Sequence, residues 1–217
     1  MASLLNNVLN LLPLALLALT QPAQAEEACA KVPAGWTIGT HAASAALCAD
    51  VLLKADEEGT RKLRVFESGK LAFETDDAAL CKTCGGTLGD PFQEIAWKGA
   101  TLSVSNEGGS REAWGETWKF AQRDNRWVII GWERNVTDRL TRSAWQESVN
   151  ALTGKAEARY IPGENGCKDS AEDAAKCKKS DKMKEKKLSC AHPAKSPDAS
   201  TVAKWRGQAF ACGLQTP

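Results

Sequence analysis

The central part of the chain alternates apolar and polar residues with a period of two. From Arg61 to Tyr160 the alternating runs are separated by turn residues about every eight to twelve positions, which is typical of antiparallel β structure. The pattern predicts one hairpin that turns at Ser68-Gly69, another that turns at Lys98-Gly99, and a further turn at Asp124-Asn125. From Ser143 to Tyr160 the pattern is ambiguous. The apolar run WVIIGW at 127–132 predicts a central strand covered on both faces. We therefore expect a mainly β fold: an antiparallel meander of about seven strands, folded as a sandwich or incomplete barrel.

Four parts of the chain follow from this pattern. Residues 1–25 are read as a leader, 26–60 as a short N-terminal segment, 61–163 as the β-meander domain and 164–217 as a C-terminal tail rich in Lys and Cys. Within the N-terminal segment, the Ala- and Leu-rich stretch before the meander fits a short helix or a first strand equally well. The tail has few large apolar residues, and residues 166–217 carry a net formal charge of +5, whereas residues 26–165 carry −4. Such a composition is typical of a solvated appendage.

The first 25 residues have the features of a secretory signal. They contain no Asp, Glu, Lys or Arg, include an apolar run, and end in the small-x-small sequence Ala23-Gln24-Ala25. We expect cleavage after Ala25 and a periplasmic or secreted protein. The apolar run is too short to cross a bilayer, and no later stretch reaches about 18 apolar residues, so no transmembrane segment is expected.

Export changes the meaning of the cysteines. An even number of cysteines in an oxidising compartment predicts a disulfide framework. Eight cysteines allow 105 pairings, and the simplest are short loop closures: 29 with 48, 81 with 84, and 190 with 212. The eight are Cys29, Cys48, Cys81, Cys84, Cys167, Cys177, Cys190 and Cys212.

The segment CKTCGGTLGDPF, residues 81–92, permits three interpretations. A redox site would need a helix to begin at the first cysteine, but the glycines and Asp90-Pro91 that follow are turn residues. A closed zinc site would need a second cysteine pair or histidines at ligand spacing. The chain has only two histidines, His41 and His192, and they lie far apart in the sequence. A stapled loop between two hairpins is the favoured interpretation. Neither a metal nor a cofactor is expected.

Tryptophan is frequent, with eight in the chain, and most should fill the core. A sharper alternative is an aromatic platform that stacks on sugars or on a partner's side chains. Trp114 and Trp118 are the best pair for it because they lie on one face of a predicted strand. Glu116 lies between them, and a carboxylate there would be costly if buried without a partner. That face is therefore expected to be partly open, or opposed by an arginine, Arg111, Arg126 or Arg134.

The chain shows none of the common catalytic motifs. It has no GxSxG and no HExxH sequence, and its two histidines offer little material for a serine triad. Acidic pairs are more often solvated than catalytic, although a glycosidase dyad is defined in space rather than in sequence. The sequence therefore does not predict an enzyme. The basic tail could contact anionic surfaces, but nucleic acid is not an expected partner.

The middle of the chain resembles a group of exported bacterial proteins with no assigned activity. The resemblance covers roughly residues 48–160 and rests on CxxCGGxxGDPF, GGSREAW at 108–114, WVIIGWE at 127–133 and SVNALTGK at 148–155. Members often carry an Asp-rich calcium loop like that of FG-GAP or VCBS repeats ahead of this block. This chain has only CADVLLKADEEG there, so calcium is not implied. The resemblance implies a β body and export.

These observations favour a non-enzymatic function in the bacterial cell envelope. The leading hypothesis is a disulfide-stabilised binding or inhibitor-like protein that recognises an envelope protein or glycan. Its contact surface would be the face of Trp114 and Trp118, with Glu116 and Arg111, or the glycine loops at 84–92 and 106–111. The alternatives are a hydrolase of envelope polysaccharide and a thiol-disulfide protein that uses Cys81 and Cys84.

Overall fold

The computed structural model describes residues 29–163 and 185–215. The predicted leader lies outside these ranges, as do Cys167 and Cys177. Within the described residues, no helix is long and apolar enough to cross a membrane. The described residues are mainly β, as predicted, and form two antiparallel sheets.

The smaller sheet has four strands in sequential order. These are β1 (Trp36–Ser44), β2 (Leu47–Lys54), β3 (Arg61–Glu67) and β4 (Lys70–Thr75). The segment that fitted either a helix or a strand therefore forms the hairpin of β1 and β2. Residues 49–52 of β2 are buried on both faces of the strand, and Ala49 and Val51 belong to the core.

The larger sheet has seven strands, again in sequential order, with β8 at its centre. Its strands are β5 (Phe92–Lys98), β6 (Thr101–Gly109), β7 (Glu112–Arg123), β8 (Arg126–Asp138), β9 (Ala144–Asn150), β10 (Lys155–Ile161) and β11 (Lys186–Ala191). The central strand β8 contains the WVIIGW run, as its unbroken apolar pattern predicts.

In residues 29–163 and 185–215, helical structure is limited to short turns. A 3₁₀ turn spans Gly86–Leu88. The C-terminal segment, defined as residues 192–215, contains the 3₁₀ turns Ala199–Thr201 and Ala211–Gly213 around the one-turn helix α1 (Val202–Arg206). Asp198 caps the first of the C-terminal turns by accepting a hydrogen bond from the Ser200 N–H.

The predicted hairpin turns are present. Ser68 and Gly69 have φ of 51° and 76°, and Asp124 and Asn125 have φ of 49° and 58°, as expected for two-residue turns between antiparallel strands. In the hairpin of β5 and β6, Lys98 pairs with Thr101, so the turn residues are Gly99-Ala100, one position later than predicted.

The two sheets pack face to face over one half of the larger sheet. Phe73 of β4 lies 5.6 Å from both Phe120 and Trp127 of the larger sheet, measured between ring centroids. The indole N–H of Trp97 on β5 donates to the carbonyl of Ala42 on β1 at 3.1 Å. This half is therefore a sandwich whose corner, between β1 and β5, is bridged by a side chain.

The C-terminal segment covers the other half of the same face. Trp205 of α1 stacks on Trp132 of β8 with ring centroids 5.9 Å apart, and His192 packs edge-on against Trp132 at 5.1 Å. Burial lowers the pKa of His192. The N–H of Ile129 donates to the carbonyl of Pro197, so the segment also extends the hydrogen bonding of β8. The prediction of a solvated appendage is wrong for residues 192–215, which complete the core, and residues 186–191 add an edge strand to the larger sheet.

The three predicted disulfides are present: Cys29–Cys48, Cys81–Cys84 and Cys190–Cys212. All six cysteines in the described ranges are thus paired. Cys190–Cys212 joins edge strand β11 to the last 3₁₀ turn, while Cys81–Cys84 closes a loop of only three residues' separation.

The sheets cross the predicted segment boundaries. The boundary at residues 60 and 61 falls between β2 and β3, which are hydrogen-bonded neighbours, and the tail contributes β11 to the larger sheet. Eight strands lie between residues 61 and 163, one more than predicted, and the described ranges contain eleven in all.

We expect the Cys190–Cys212 bridge to contribute more stability than Cys81–Cys84. Closing a loop of 22 residues' separation removes more unfolded-state entropy than closing one of three. Changing both Cys190 and Cys212 to Ser should lower the free energy of unfolding by about 3 kcal/mol, against about 2 kcal/mol for the Cys81 and Cys84 pair. Urea denaturation of both variants checks this. A larger loss in the Cys81 and Cys84 variant would contradict it.

Candidate binding site

Charged side chains form a row across the inner face of the larger sheet, the face that packs on the core. Glu116 on β7 lies directly opposite Arg134 on β8, and Arg134 lies opposite Glu147 on β9. Directly opposed residues point to the same face of a sheet. Glu116 is 7% exposed and Glu147 is 3% exposed, so both carboxylates need partners inside the protein.

Glu116 is paired with an arginine of the C-terminal segment. The Arg206 Nη2 lies 2.5 Å from Glu116 Oε1, and its Nε lies 2.9 Å from both carboxylate oxygens. The side-chain amide of Asn106 donates to the same carboxylate at 3.1 Å. The sequence predicts Arg111, Arg126 or Arg134 as the arginine opposing Glu116. Arg134 does lie opposite Glu116 in the sheet, but the ion pair is made by Arg206, which the prediction does not include.

Glu147 and Arg134 bind the backbone of the same segment. Glu147 accepts hydrogen bonds from the indole N–H of Trp132, from Arg134 and from the backbone N–H of Ala211. Arg134 also donates to the carbonyls of Arg206, Gln208 and Ala209 at 3.0 to 3.3 Å. The charged row thus supplies hydrogen-bond partners to a segment that has almost no regular secondary structure of its own.

A cavity of about 250 Å³ lies beside this row, at the end of the inner face. We call it the Trp114 cavity. Apolar side chains contribute much of its lining, and the charged row forms part of its wall. It is lined by Leu80, Trp114, Gly115, Glu116, Arg134, Asn135, Val136, Arg206 and Phe210.

Three parts of the chain meet at the cavity. Trp114 and Val136 are opposite neighbours on β7 and β8, Phe210 comes from the C-terminal segment, and Leu80 comes from the loop before Cys81. The Arg134 guanidinium lies 4.9 Å from the centre of the Phe210 ring, a cation–π distance that fixes this wall.

The loop that carries Leu80 is held by buried polar contacts. Asn106, fully buried on β6, accepts from the N–H of Leu80 at 3.0 Å and donates to the carbonyl of Ala78 at 2.8 Å. The carbonyl of Leu80 accepts from Arg61 at 2.6 Å. Because these groups are buried and paired, the cavity wall is fixed by the core rather than left to a solvated loop.

The two predicted glycine loops meet behind Trp114. The N–H of Gly109 donates to the carbonyl of Gly85 at 2.8 Å. A Cβ at Gly108 would overlap the Trp114 ring and approach the Gly85 carbonyl to 2.9 Å. Glycine at 108 therefore lets the ring lie against the loop, and the loops help to position Trp114.

The four residues predicted to form a binding surface, Trp114, Trp118, Glu116 and Arg111, do not all lie together in the structure. Trp114 is partly exposed and Glu116 lines the same cavity, so these two remain together. Trp118 is fully buried and packs against Trp132, with ring centroids 5.3 Å apart and ring planes tilted by 33°, which confirms the core interpretation for this residue. Arg111 pairs with Asp138 at 2.8 Å and is not among the residues that line the cavity.

Sequence reasoning missed two aromatic residues beside the cavity. Val136 lies opposite Trp145 on β9, and Trp145 lies opposite Tyr160 on β10, so a partly exposed row runs from Trp114 to Tyr160. The rings of Trp145 and Tyr160 are 5.1 Å apart. Both residues occur in a stretch whose strand pattern is ambiguous, and only the register of β8, β9 and β10 brings them into line with Trp114.

Glu147 should be far more important for stability than a carboxylate on the opposite face of the sheet. Glu147→Gln leaves Arg134 without its buried counter-charge and should cost about 3 kcal/mol of unfolding free energy. Glu133→Gln, the control, breaks an exposed pair with Lys119 and should cost less than about 1 kcal/mol. Urea denaturation measures both, and equal losses would show that the inner-face row does not hold the C-terminal segment.

Asp138 should make stability depend on pH in the acid range. Its hydrogen bond from Arg111, with help from the N–H groups of Leu140 and Thr141, lowers the pKa of Asp138 from 3.8 to about 2. A depressed folded-state pKa gives stability that is present above pH 3.8 and is lost as the pH falls towards 2. Asp138→Asn should be less stable at pH 5 and lose less between pH 4 and 2, measured by urea midpoints. An unchanged acid dependence would contradict this assignment.

The chain was also compared with known proteins. No protein-family model, no curated protein and no solved structure matches it. Function must therefore be inferred from the Trp114 cavity and its surroundings.

Proposed function

We propose that this is an exported binding protein of the bacterial cell envelope, one that receives an apolar side chain of a partner protein in the Trp114 cavity. The predicted leader and the disulfides support export, since such bridges persist in oxidising compartments. The observation that carries the proposal is the cavity itself, which places the partly exposed Trp114 and Phe210 beside a buried ion pair.

The size and lining of the cavity favour a protein partner. About 250 Å³ accommodates one large side chain, and Leu80, Trp114, Val136 and Phe210 give it apolar walls. Stable protein interfaces depend on a few aromatic or arginine anchors in such cavities, surrounded by contacts that exclude water. Trp145 and Tyr160 extend the aromatic surface beyond the cavity, on the same face of the sheet.

The surroundings of Phe210 provide the rest of a contact surface. A second depression, of about 620 Å³, shares Arg134 and Phe210 with the Trp114 cavity. Arg134, Gln208, Phe210 and Gln215 line it. Phe210 therefore separates two adjoining depressions, one mostly apolar and one with amide groups on its rim, which is the arrangement of an anchored core with a polar border.

The charged groups at the cavity are engaged in structure. Both carboxylate oxygens of Glu116 accept hydrogen bonds from Arg206. The Glu147 carboxylate accepts hydrogen bonds from Trp132, Arg134 and the backbone N–H of Ala211. A carboxylate held in this way serves the docking of the C-terminal segment. The geometry therefore favours recognition over the alternative of polysaccharide hydrolysis by Glu116.

Peptide selection on the purified mature protein tests the proposal. Peptides chosen from a random displayed library should share one large apolar residue, and a synthetic copy should bind with 1:1 stoichiometry. Trp114→Ala should weaken binding of that peptide at least about 30-fold, which is the effect of losing a strong anchor contact. Trp36→Ala, which removes a partly exposed tryptophan on β1, is the matched control and should stay within about threefold.

The same variants identify the opposite outcome. Insoluble peptidoglycan and soluble envelope polysaccharides are offered to the wild type in parallel. Retention on these glycans that depends on Trp114, with no selected peptide, would overturn the proposal of a protein partner. Urea midpoints of both tryptophan variants show that any loss of binding is measured on folded protein.

A further inference from the structure

A second cluster of reactive side chains lies far from the Trp114 cavity, on the outer face of the smaller sheet. His41 on β1 is directly opposite Asp50 on β2, and Asp50 is directly opposite Arg64 on β3. Cys48 precedes Asp50 by two residues and therefore shares its face. The Cys29–Cys48 disulfide brings Cys29 onto the same spot.

Four potential metal ligands converge there. One ligand atom each from Cys29, His41, Cys48 and Asp50 lies within 4.8 Å of the others. The Nδ1 atom of His41 is 3.0 Å from Asp50 Oδ1, 3.6 Å from the Cys29 sulfur and 3.9 Å from the Cys48 sulfur. Asp50 is fully buried and the His41 side chain is only 12% exposed.

These separations resemble the edges of a tetrahedral zinc site. With ordinary zinc bond lengths, neighbouring ligands stand about 3.4 Å apart for nitrogen and oxygen, and about 3.6 Å apart for nitrogen and sulfur. The edges from His41 to Asp50 and to both sulfur atoms already lie near these values. The distances from Asp50 to the two sulfur atoms are within 4.8 Å, and the sulfur atoms, which are bonded to each other, would have to separate to about 3.8 Å.

The groups around the cluster suit a bound cation. Arg64 contacts Asp50 Oδ2 at 3.2 Å, while Oδ1 faces His41, so one carboxylate oxygen is held in place and the other is directed at the site. Such outer contacts orient metal ligands. Two thiolates and one carboxylate balance the charges of Zn²⁺ and Arg64, which leaves the buried cluster formally neutral.

We propose that reduction of Cys29–Cys48 opens a zinc site formed by Cys29, His41, Cys48 and Asp50. A dithiol reductant passes two electrons and two protons to the disulfide and is itself oxidised to a disulfide, which yields two thiols in the protein. Zn²⁺ then displaces both thiol protons to solvent and binds the thiolates. The disulfide and the metal are thus alternative cross-links for the same part of the chain.

Either cross-link holds the residues before β1, around Cys29 and Lys31, in one place. The N–H of Cys29 donates to both oxygens of Asp50 at 3.2 Å, and Arg64 donates to the carbonyl of Lys31 at 3.3 Å. A metal bound to Cys29 and Asp50 joins the two groups that this contact already brings together. The smaller sheet therefore keeps its outer cover whichever state the cysteines are in.

Cobalt binding to the full mature chain tests the proposal, because tetrahedral Co²⁺ bound to thiolates has a characteristic visible spectrum. The oxidised protein should take up no cobalt at this cluster. After reduction with a phosphine, the protein should take up one equivalent with tetrahedral thiolate bands, and Zn²⁺ should displace it. His41→Ala should weaken cobalt binding at least about 100-fold, since loss of even an outer contact costs 10- to 100-fold.

Two double variants locate the site among the cysteines. Changing Cys81 and Cys84 to Ser, the matched control, should leave the cobalt spectrum unchanged, whereas changing Cys29 and Cys48 to Ser should abolish it. This comparison stands even if His41→Ala does not fold. A reduced wild type without tetrahedral bands, or bands that survive the loss of Cys29 and Cys48, would overturn the proposal.

Discussion

The two buried carboxylates Glu116 and Glu147 determine how the chain closes over the inner face of its larger sheet. Each would be costly inside the protein without a partner, and each finds one in the C-terminal segment. Arg206 binds Glu116, and the N–H of Ala211 is bound by Glu147. The smaller sheet leaves half of this face uncovered, and the hydrogen bonds of the two carboxylates fix how the C-terminal segment packs there. Apolar contacts alone would not specify one arrangement. Trp205 then adds apolar contact, against Trp132.

The Trp114 cavity is a consequence of this docking. Its floor belongs to β7 and β8, but Phe210 reaches it only because Arg134 holds the three carbonyls between residues 206 and 209. The remaining wall is Leu80, which Asn106 ties to the same sheet and to Glu116. A ligand in the cavity would therefore contact three distant parts of the chain at once. Binding and the integrity of the C-terminal segment are coupled through one set of hydrogen bonds.

Local patterns predict the parts of this fold that depend on local physics. The hairpin at Ser68-Gly69 and the turn at Asp124-Asn125 follow from residues that accept positive φ, and the three disulfides close short loops, as predicted. Periodicity places Trp114, Glu116 and Trp118 on one face. It does not predict which of them is buried, because that depends on how far the C-terminal segment extends over the face. Arg206 lies 90 residues from Glu116, and no local signal joins them. The low apolar content of the tail misleads because a few small and aromatic residues suffice to cover a sheet whose own side chains supply the bulk.

The two terminal segments are held by the same combination of groups. At the N-terminal end, Asp50 accepts the N–H of Cys29 while Arg64 donates to the carbonyl of Lys31; at the C-terminal end, Glu147 accepts the N–H of Ala211 while Arg134 donates to three carbonyls. In each case a paired carboxylate and arginine satisfy backbone groups that lack a strand neighbour, and a disulfide one residue or less away limits the unfolded chain. A segment with little regular structure can then cover a sheet face, since its polar backbone is paired by side chains of the sheet itself. Side chains of the two sheets therefore hold both terminal segments in place. The same contacts form the Trp114 cavity at the C-terminal end and the cysteine cluster at the N-terminal end.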